Sequence, residues 1–297
     1  MTLVPQFQPA PGPGAADSER SPFSRLTDLL HGHAPGLPLI NLSVGEPRHA
    51  QPPFVAAVLA AHIAEFGRYP LSKGIAPFRE AASAWLARRF ALPRAVDPET
   101  EVLVLNGSRD GLFFAASAAA RFIGKDNATI LLPNPFYPAY AAGIHASGCR
   151  PVYLPAVREG GFLPDLDALD AAMLDQAAAF YLASPANPQG AVVSPAYFTR
   201  LAALARRHNF IVLSDECYSE IYTRAAPGSM LENAGRDFAN VVAFQSLSKR
   251  SNLPGLRVGF VAGDRRFIAA FHELRNVAAP QVPVPLQHVA VAAYGDE

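Results

Sequence analysis

An α/β fold, built on a mostly parallel seven-stranded sheet between helices, is predicted by three features of this sequence. Half of the 297 residues are hydrophobic, enough apolar material for one large core or two ordinary ones. From Val102 onward, short apolar runs alternate with longer segments of helical period. Most of those runs are apolar throughout rather than at every second position, the pattern of strands covered on both faces.

The elements follow in chain order. Residues 1–20, MTLVPQFQPAPGPGAADSER, are rich in Pro, Gly and Ala, lack a hydrophobic period and read as a flexible tail. A short helix is expected over Phe23–Leu30, then a Gly/Pro turn and the strand-like Leu39–Leu42. Pro52 and Pro53 precede a helix over Phe54–Phe66, at a position where the missing proline N–H costs least. A helix over Ala76–Phe90 sets Phe78, Ala82, Trp85, Leu86 and Phe90 near one face. Strands are expected at Val102–Leu105, Thr129–Leu132, Pro151–Leu154, Phe180–Ala183, Phe210–Ser214, Val241–Gln245 and Val258–Ala262. Between them lie helical segments at Asp110–Phe122, Tyr137–Ala146, Asp165–Asp175 and Pro195–His208. Two closing helices, Arg266–Val277 and Leu286–Tyr294, are separated by the Pro-rich break at 280–285. No internal repeat is visible.

Composition narrows the function classes. Twenty-five basic residues balance 25 acidic ones, so the chain has no broad electrostatic footprint for nucleic acid or an anionic membrane. Cys149 and Cys217 are too few for a disulfide scaffold, and no CxxC pair is present. The eight histidines show no zinc-like spacing, and His31 and His33 flank a turn glycine, so no metal site is expected. The N-terminus has neither a basic region nor an apolar run of secretory type, and no apolar stretch reaches membrane-spanning length. A cytoplasmic globular protein is the expectation.

In open α/β sheets, ligands bind beyond the carboxyl ends of the strands, so the residues after each strand carry the functional reading. Asn106-Gly107-Ser108-Arg109-Asp110 is a glycine turn opening a helix. It is either an ordinary N-cap or a phosphate site made of free N–H groups and the helix dipole. It is neither a GxGxxG nor a P-loop sequence. In Ser184-Pro185-Ala186-Asn187-Pro188-Gln189-Gly190, Asn187 is turn punctuation or an amide donor to a ligand oxygen. Asp215, in Ser214-Asp215-Glu216-Cys217-Tyr218, either caps the next segment or meets a cation, since a carboxylate ending an apolar strand is costly alone. Cys217 has no activating partner in the sequence and reads as packing. Ser246-Leu247-Ser248-Lys249-Arg250, with Arg257 beyond, is a solvated basic loop or a phosphate pocket holding a Schiff-base lysine. Taken together, a lysine, a strand-end carboxylate, an amide, phosphate donors and tyrosines match what pyridoxal 5'-phosphate requires.

These residues resemble the class I/II pyridoxal-phosphate aminotransferases of fold type I, from about Asn41 to the end of the chain. The resemblance implies that Gly45 in NLSVGEP lies beside the substrate carboxylate, and that Tyr69 in RYPLSKG reaches the phosphate of a neighbouring subunit in a homodimer. It implies a phosphate cup from Gly107, Ser108 and Arg109 in NGSRDGLFF, and a ring-stacking Tyr137 in NPFYPAY. SPANPQG is similar to the family's SPxNPTG, which places Asn187 on the cofactor's phenolic oxygen and near the substrate; Gln189 replaces the usual threonine at a turn position. SDECYSEIY implies Asp215 for the pyridine nitrogen and Tyr218 for the phenolic oxygen. SLSKRSNLPGLRVGF implies phosphate contacts from Ser246, Ser248 and Arg257, and Lys249 as the Schiff-base lysine and proton carrier.

Within the family, NPFYPAY, SDECYSEIY and SLSKRSNLPG look most like N-succinyldiaminopimelate aminotransferases of bacterial lysine biosynthesis. The implied reaction is ping-pong transfer of an amino group from an amino acid, such as N-succinyl-LL-diaminopimelate, to 2-oxoglutarate. The rivals are a lyase on the same scaffold, a non-catalytic module like those of some transcription regulators, and a fragment without activity. The implied division is a tail at 1–20, an N-terminal segment of the small domain and arm at 21–68, a large cofactor-binding domain at 69–280 and the start of an incomplete small domain at 281–297. Family members continue for on the order of a hundred residues more, the size of a small domain. They carry there the arginine that clamps the substrate carboxylate, so weak or absent turnover is expected of this chain.

Overall fold

The computed structural model describes residues 22–42 and 44–296, so the predicted tail at 1–20 lies outside the described residues. The chain divides into two compact units, residues 1–46 and 47–297, and the boundaries expected at 68 and 280 both fall inside the second. In the first unit, helix α1 spans Pro22–Leu30, and Thr27 Oγ1 donates to the Phe23 carbonyl at 3.0 Å. The strand expected at Leu39–Leu42 does not form: the segment joins no sheet among the described residues, and Leu39, Ile40 and Leu42 are exposed. A run of β-type residues becomes a strand only when another edge takes its N–H and C=O groups.

The second unit begins with α2 (Phe54–His62), which tightens into a 3-10 turn over Ile63–Gly67, and α3 (Ala76–Arg89). β1 (Val102–Leu105), α4 (Ser108–Ile123), β2 (Thr129–Asn134), α5 (Pro138–Ala146) and β3 (Arg150–Pro155) follow. Asp165–Asp175 was expected as one helix but forms two short pieces, a 3-10 turn at Leu166–Ala168 and α6 at Ala171–Gln176. The reason is local. Asp165 accepts from the Asp167 N–H and Asp170 from the Met173 N–H, so each aspartate starts its own turn. Next come β4 (Ala177–Ala183), α7 (Pro195–His208), β5 (Ile211–Asp215), β6 (Val241–Ser246), the one-turn α8 (Leu247–Arg250) and β7 (Gly259–Gly263). The chain closes with α9 (Arg265–Ala278) and α10 (Val284–Gly295).

The seven strands form one sheet in the order β1-β7-β6-β5-β4-β2-β3. All pairs are parallel except those of β7, which runs antiparallel to both β1 and β6. The sheet is therefore the mostly parallel seven-stranded one predicted, with one reversed strand. Alternate residues feed two cores. Val102, Val104, Phe180, Leu182, Val212, Val241 and Phe260 pack with Phe78, Trp85 and Leu86 of α3, Phe198 of α7 and Tyr294 of α10. Leu103, Leu105, Tyr181, Ile211, Leu213 and Phe244 pack with α4, with Tyr140 and Ile144 of α5, and with Phe267 and Phe271 of α9. Each fully buried aromatic or leucine contributes about 1.5–3 kcal/mol of transfer free energy, so α3 and α10 are held chiefly by these side chains.

His62, Glu65 and His288 tie α2 to α10. The imidazoles stack at 3.6 Å, and Glu65 accepts from His62 Nδ1 at 2.7 Å. His288 Nε2 lies 3.6 Å from the other Glu65 oxygen, so both imidazoles face the one carboxylate. Among the described residues, no helix is long and apolar enough to cross a membrane.

Candidate active site

The carboxyl ends of the parallel strands bring the predicted residues to one edge. β1 runs into Gly107, β4 into Ser184 and the Asn187 loop, β5 ends on Asp215, and β6 ends on Ser246. Arg257 arrives from the other direction. Because β7 is antiparallel, its first residue, Gly259, lies opposite Leu105 on one side and Ser246 on the other. Arg257, two residues earlier, is thereby delivered to the same edge.

The phosphate-type features sit together there. Gly107 has φ +77° and ψ 162°, a region open to glycine alone, and a Cβ on it would lie 2.4 Å from Arg257 Nη2. A Cβ on Gly259 would lie 2.4 Å from the Gln245 carbonyl and 3.4 Å from the Ser108 nitrogen. The two glycines thus let three backbone segments and one guanidinium meet at the N-terminus of the four-turn α4, where N–H groups lack intrahelical partners. Ser246 Oγ accepts from the Ser248 N–H and bonds its hydroxyl at 3.0 Å, which shapes the turn before Lys249. The Arg109 side chain points elsewhere: its Nε donates to the Tyr137 hydroxyl at 2.7 Å and so fixes that ring. Its contribution to the cup is therefore its place in the first turn of α4.

Asp215 is 8 % exposed and accepts from the Tyr140 hydroxyl at 2.7 Å and from the Cys217 N–H at 3.2 Å. The N–H contact is a local turn cap, the first of the two sequence alternatives for Asp215. Burial pushes its carboxyl above the usual carboxylate range, while the bonds from Cys217 and Tyr140 pull the other way. Among the described residues no cation pairs with it. A buried, unpaired carboxylate at a strand end calls for a positive group on a ligand. Burial likewise lifts the Cys217 thiol and the Tyr218 hydroxyl above their ordinary values, with the Asp215 charge adding to both. A thiol raised this way is a packing group and no nucleophile. The Lys249 ammonium lies 5.8 Å from the centre of the Tyr218 ring. Tyr218 and Asn187 line a common open cavity of about 560 Å³, with Val192, Ile221, Tyr222 and Arg224 among its other walls.

Tyr69 is fully exposed, and Gly45 belongs to the first unit. Three residues escaped the sequence reading. Tyr140 holds Asp215 and stacks on Tyr181 at 4.5 Å, and Tyr181 donates to the Leu112 carbonyl of α4 at 2.6 Å. The carboxylate and the phosphate-type turn are therefore joined through two buried tyrosines. Glu216, wholly buried, is the third. Tyr140 stood in the quoted NPFYPAY segment, and its signal was its spacing of one helical turn from Tyr137.

The family model described as aminotransferase class I and II matches residues 38–297. The chain is 35 % identical over 266 residues to the LL-diaminopimelate aminotransferase of Gloeobacter violaceus, covering 88 % of this chain and 66 % of that protein. It is 34 % identical over 275 residues to the enzyme of the same name from Desulforudis audaxviator, covering 91 % and 68 %. Among solved structures, an aminotransferase from Neisseria meningitidis superposes with a TM-score of 0.86 at 34 % identity, covering 94 % of this chain and 72 % of that one. A probable N-succinyldiaminopimelate aminotransferase from Thermus thermophilus superposes with a TM-score of 0.80 at 26 % identity, covering 95 % and 73 %. The chain spans about two thirds of the length of the curated relatives it matches.

Proposed function

This chain belongs to the class I and II aminotransferases, and from that premise we propose that it moves an amino group between an amino acid and an oxo acid on pyridoxal 5'-phosphate, the cofactor of the family. The observation that carries the reading is the buried Asp215, paired with no cation among the described residues, on the same strand edge as Lys249 and the Gly107–Arg257 cradle. The residues present fit the cofactor. The glycine cradle is one that a Cβ would fill, and the unpaired carboxylate suits a protonated ring nitrogen.

Bound there, the cofactor supplies an aldehyde and an electron-withdrawing ring. The remaining roles belong to the chain. The N-terminus of α4, with Ser108, Ser246, Ser248 and Arg257, binds the phosphate. Asp215 holds the proton on the ring nitrogen, and Tyr140 holds Asp215. Asn187 and Tyr218 would hold the phenolic oxygen, and Tyr137, steadied by Arg109, would flank the ring. The Lys249 amine would hold the cofactor through its aldehyde and, when free, would take up the proton at the substrate Cα. The roles of Gly45 beside the substrate carboxylate and of Tyr69 at a partner's phosphate rest on the family resemblance, as do a homodimer and a cytoplasmic location. So does the division into a large cofactor domain and the beginning of a small one.

For the donor we infer a diaminopimelate skeleton, with N-succinyl-LL-diaminopimelate and free LL-diaminopimelate as the two forms, and 2-oxoglutarate as acceptor. The names of the relatives support this class, and the sequence resemblance favours the succinylated form. The test is a donor panel with 2-oxoglutarate, read by glutamate formation. Lys249→Ala is expected to abolish glutamate formation and the visible absorbance of lysine-bound cofactor while some cofactor stays bound noncovalently. Full turnover by that variant would sink the assignment, and ammonia released in place of glutamate would favour a lyase.

A further inference from the structure

We propose that Glu216 is a positioning residue for this site: its carboxylate ties the ends of β5 and β6 to the turn at Met230 and so sets the spacing between the Asp215–Tyr218 segment and the Ser246–Lys249 segment. The inference rests on the aminotransferase reading.

Strand alternation separates Glu216 from its neighbour. Asp215 continues the face of Ile211 and Leu213 and meets Tyr140, whereas Glu216 turns to the opposite face, where Met230 and Leu231 lie. It is 0 % exposed. Its Oε1 accepts from Ser214 Oγ at 2.9 Å and from the Met230 N–H at 2.8 Å, and its Oε2 accepts from Gln245 Nε2 at 3.0 Å. Gln245 Oε1 in turn accepts from Ser219 Oγ at 3.4 Å, and the Glu216 N–H donates to the Phe244 carbonyl at 3.0 Å. Ser219 follows Tyr218 directly, and Gln245 directly precedes Ser246. The carboxylate thus belongs to the first segment and reaches the second through one hydrogen bond and one peptide bond, and it touches no reacting atom.

A merely space-filling residue here would be apolar, because a buried carboxylate is costly. An acceptor-only group is what three converging donors require. Burial lifts the Glu216 carboxyl to about 7 while the bonds from Met230 and Ser214 pull the other way, so the acceptor-only form prevails above that pH. Replacing it with glutamine removes one acceptor and sets an NH₂ against the Gln245 NH₂.

The test uses the full chain reconstituted with pyridoxal 5'-phosphate. Far-ultraviolet circular dichroism reports folding, fluorescence titration reports cofactor affinity, and visible circular dichroism of the bound cofactor reports its orientation. For Glu216→Gln, native secondary structure is expected with cofactor affinity about tenfold weaker, the size of one lost charged hydrogen bond, and a visible signal reduced by about half. Gln245→Met, which breaks only the β6 arm, is expected to shift both readouts in the same direction and carries the test if Glu216→Gln fails to fold. A lowered melting temperature with affinity and visible signal unchanged in the folded variants would overturn the inference, since a structural brace alone predicts that outcome. A parent chain that never forms the lysine-bound absorbance would instead remove the aminotransferase reading, and this inference with it.

Discussion

Substituting Gly107 by alanine separates backbone strain from ligand chemistry. At φ +77° and ψ 162° the residue occupies backbone space closed to side-chain-bearing residues, at an expected cost of about 1–3 kcal/mol in folding free energy. The added Cβ would stand 2.4 Å from Arg257 Nη2 and 3.0 Å from Cζ. These are the far atoms of a flexible side chain, so the guanidinium swings away and the clash itself adds little to the stability cost. The displaced cation is felt in binding. One lost charged hydrogen bond to a phosphate is worth about 1.5–3 kcal/mol, a roughly tenfold to hundredfold loss of cofactor affinity. Urea unfolding of the cofactor-free protein measures the first quantity, and titration with pyridoxal 5'-phosphate the second. Arg257→Ala, which removes the cation without strain, is expected to match the affinity loss with little change in stability. A Gly107→Ala protein within about 0.5 kcal/mol of the parent, a margin typical of an unstrained surface change, would refute the backbone argument. An affinity within twofold of the parent would refute the cradle.

Two further outcomes follow from the carboxylates. Tyr140→Phe removes a bond that lowers the Asp215 pKa, so Asp215 takes up its proton at higher pH and the acid limb of the kcat/KM profile is expected to move upward. An unmoved limb would show that Tyr140 does not govern Asp215. Glu216, raised by burial from 4.5 to about 7, stabilises the fold fully below the lower value and loses that contribution as pH rises through the upper one. The shift corresponds to about 3 kcal/mol. Urea unfolding from pH 4 to 8 is therefore expected to show a falling stability that Glu216→Gln flattens, and parallel curves for the two proteins would contradict it.

Much of this edge was legible because each candidate site segment follows an apolar run, and an apolar run flanked by a turn is a strand end whatever the tertiary fold. Asp215, Ser246 and the Gly107 turn were found that way. Tyr140 and Glu216 were not, for a common reason: their partners are remote in sequence. Tyr140 is 75 residues from Asp215, and Gln245 is 29 from Glu216. A tyrosine on a short, mostly apolar helix and a glutamate after an aspartate have no distinctive period, so only strand pairing reveals that they face buried acceptors or donors. The same holds in reverse for Leu39–Leu42, whose composition is that of a strand but which pairs with no strand among the described residues.

The reversed β7 is the case where sequence held a usable signal that composition did not express. Ser246 and Gly259 are opposed in the sheet, and the chain between them contains only the four-residue α8 and a 3-10 turn at Pro254–Leu256. Four helical residues rise about 6 Å. Five strand residues such as Gly259–Gly263 span roughly 17 Å. So short a helix cannot carry the chain back along the sheet for a parallel start, and the next strand has to run backwards from the edge already reached. That reversal places Arg257, in left-handed backbone at φ +57°, against Gly107 rather than at the opposite end of the sheet. The short interval from Lys249 to Arg257 is thus a requirement of topology: a longer connection with a full helix would permit a parallel β7 and would take the phosphate cation out of the site.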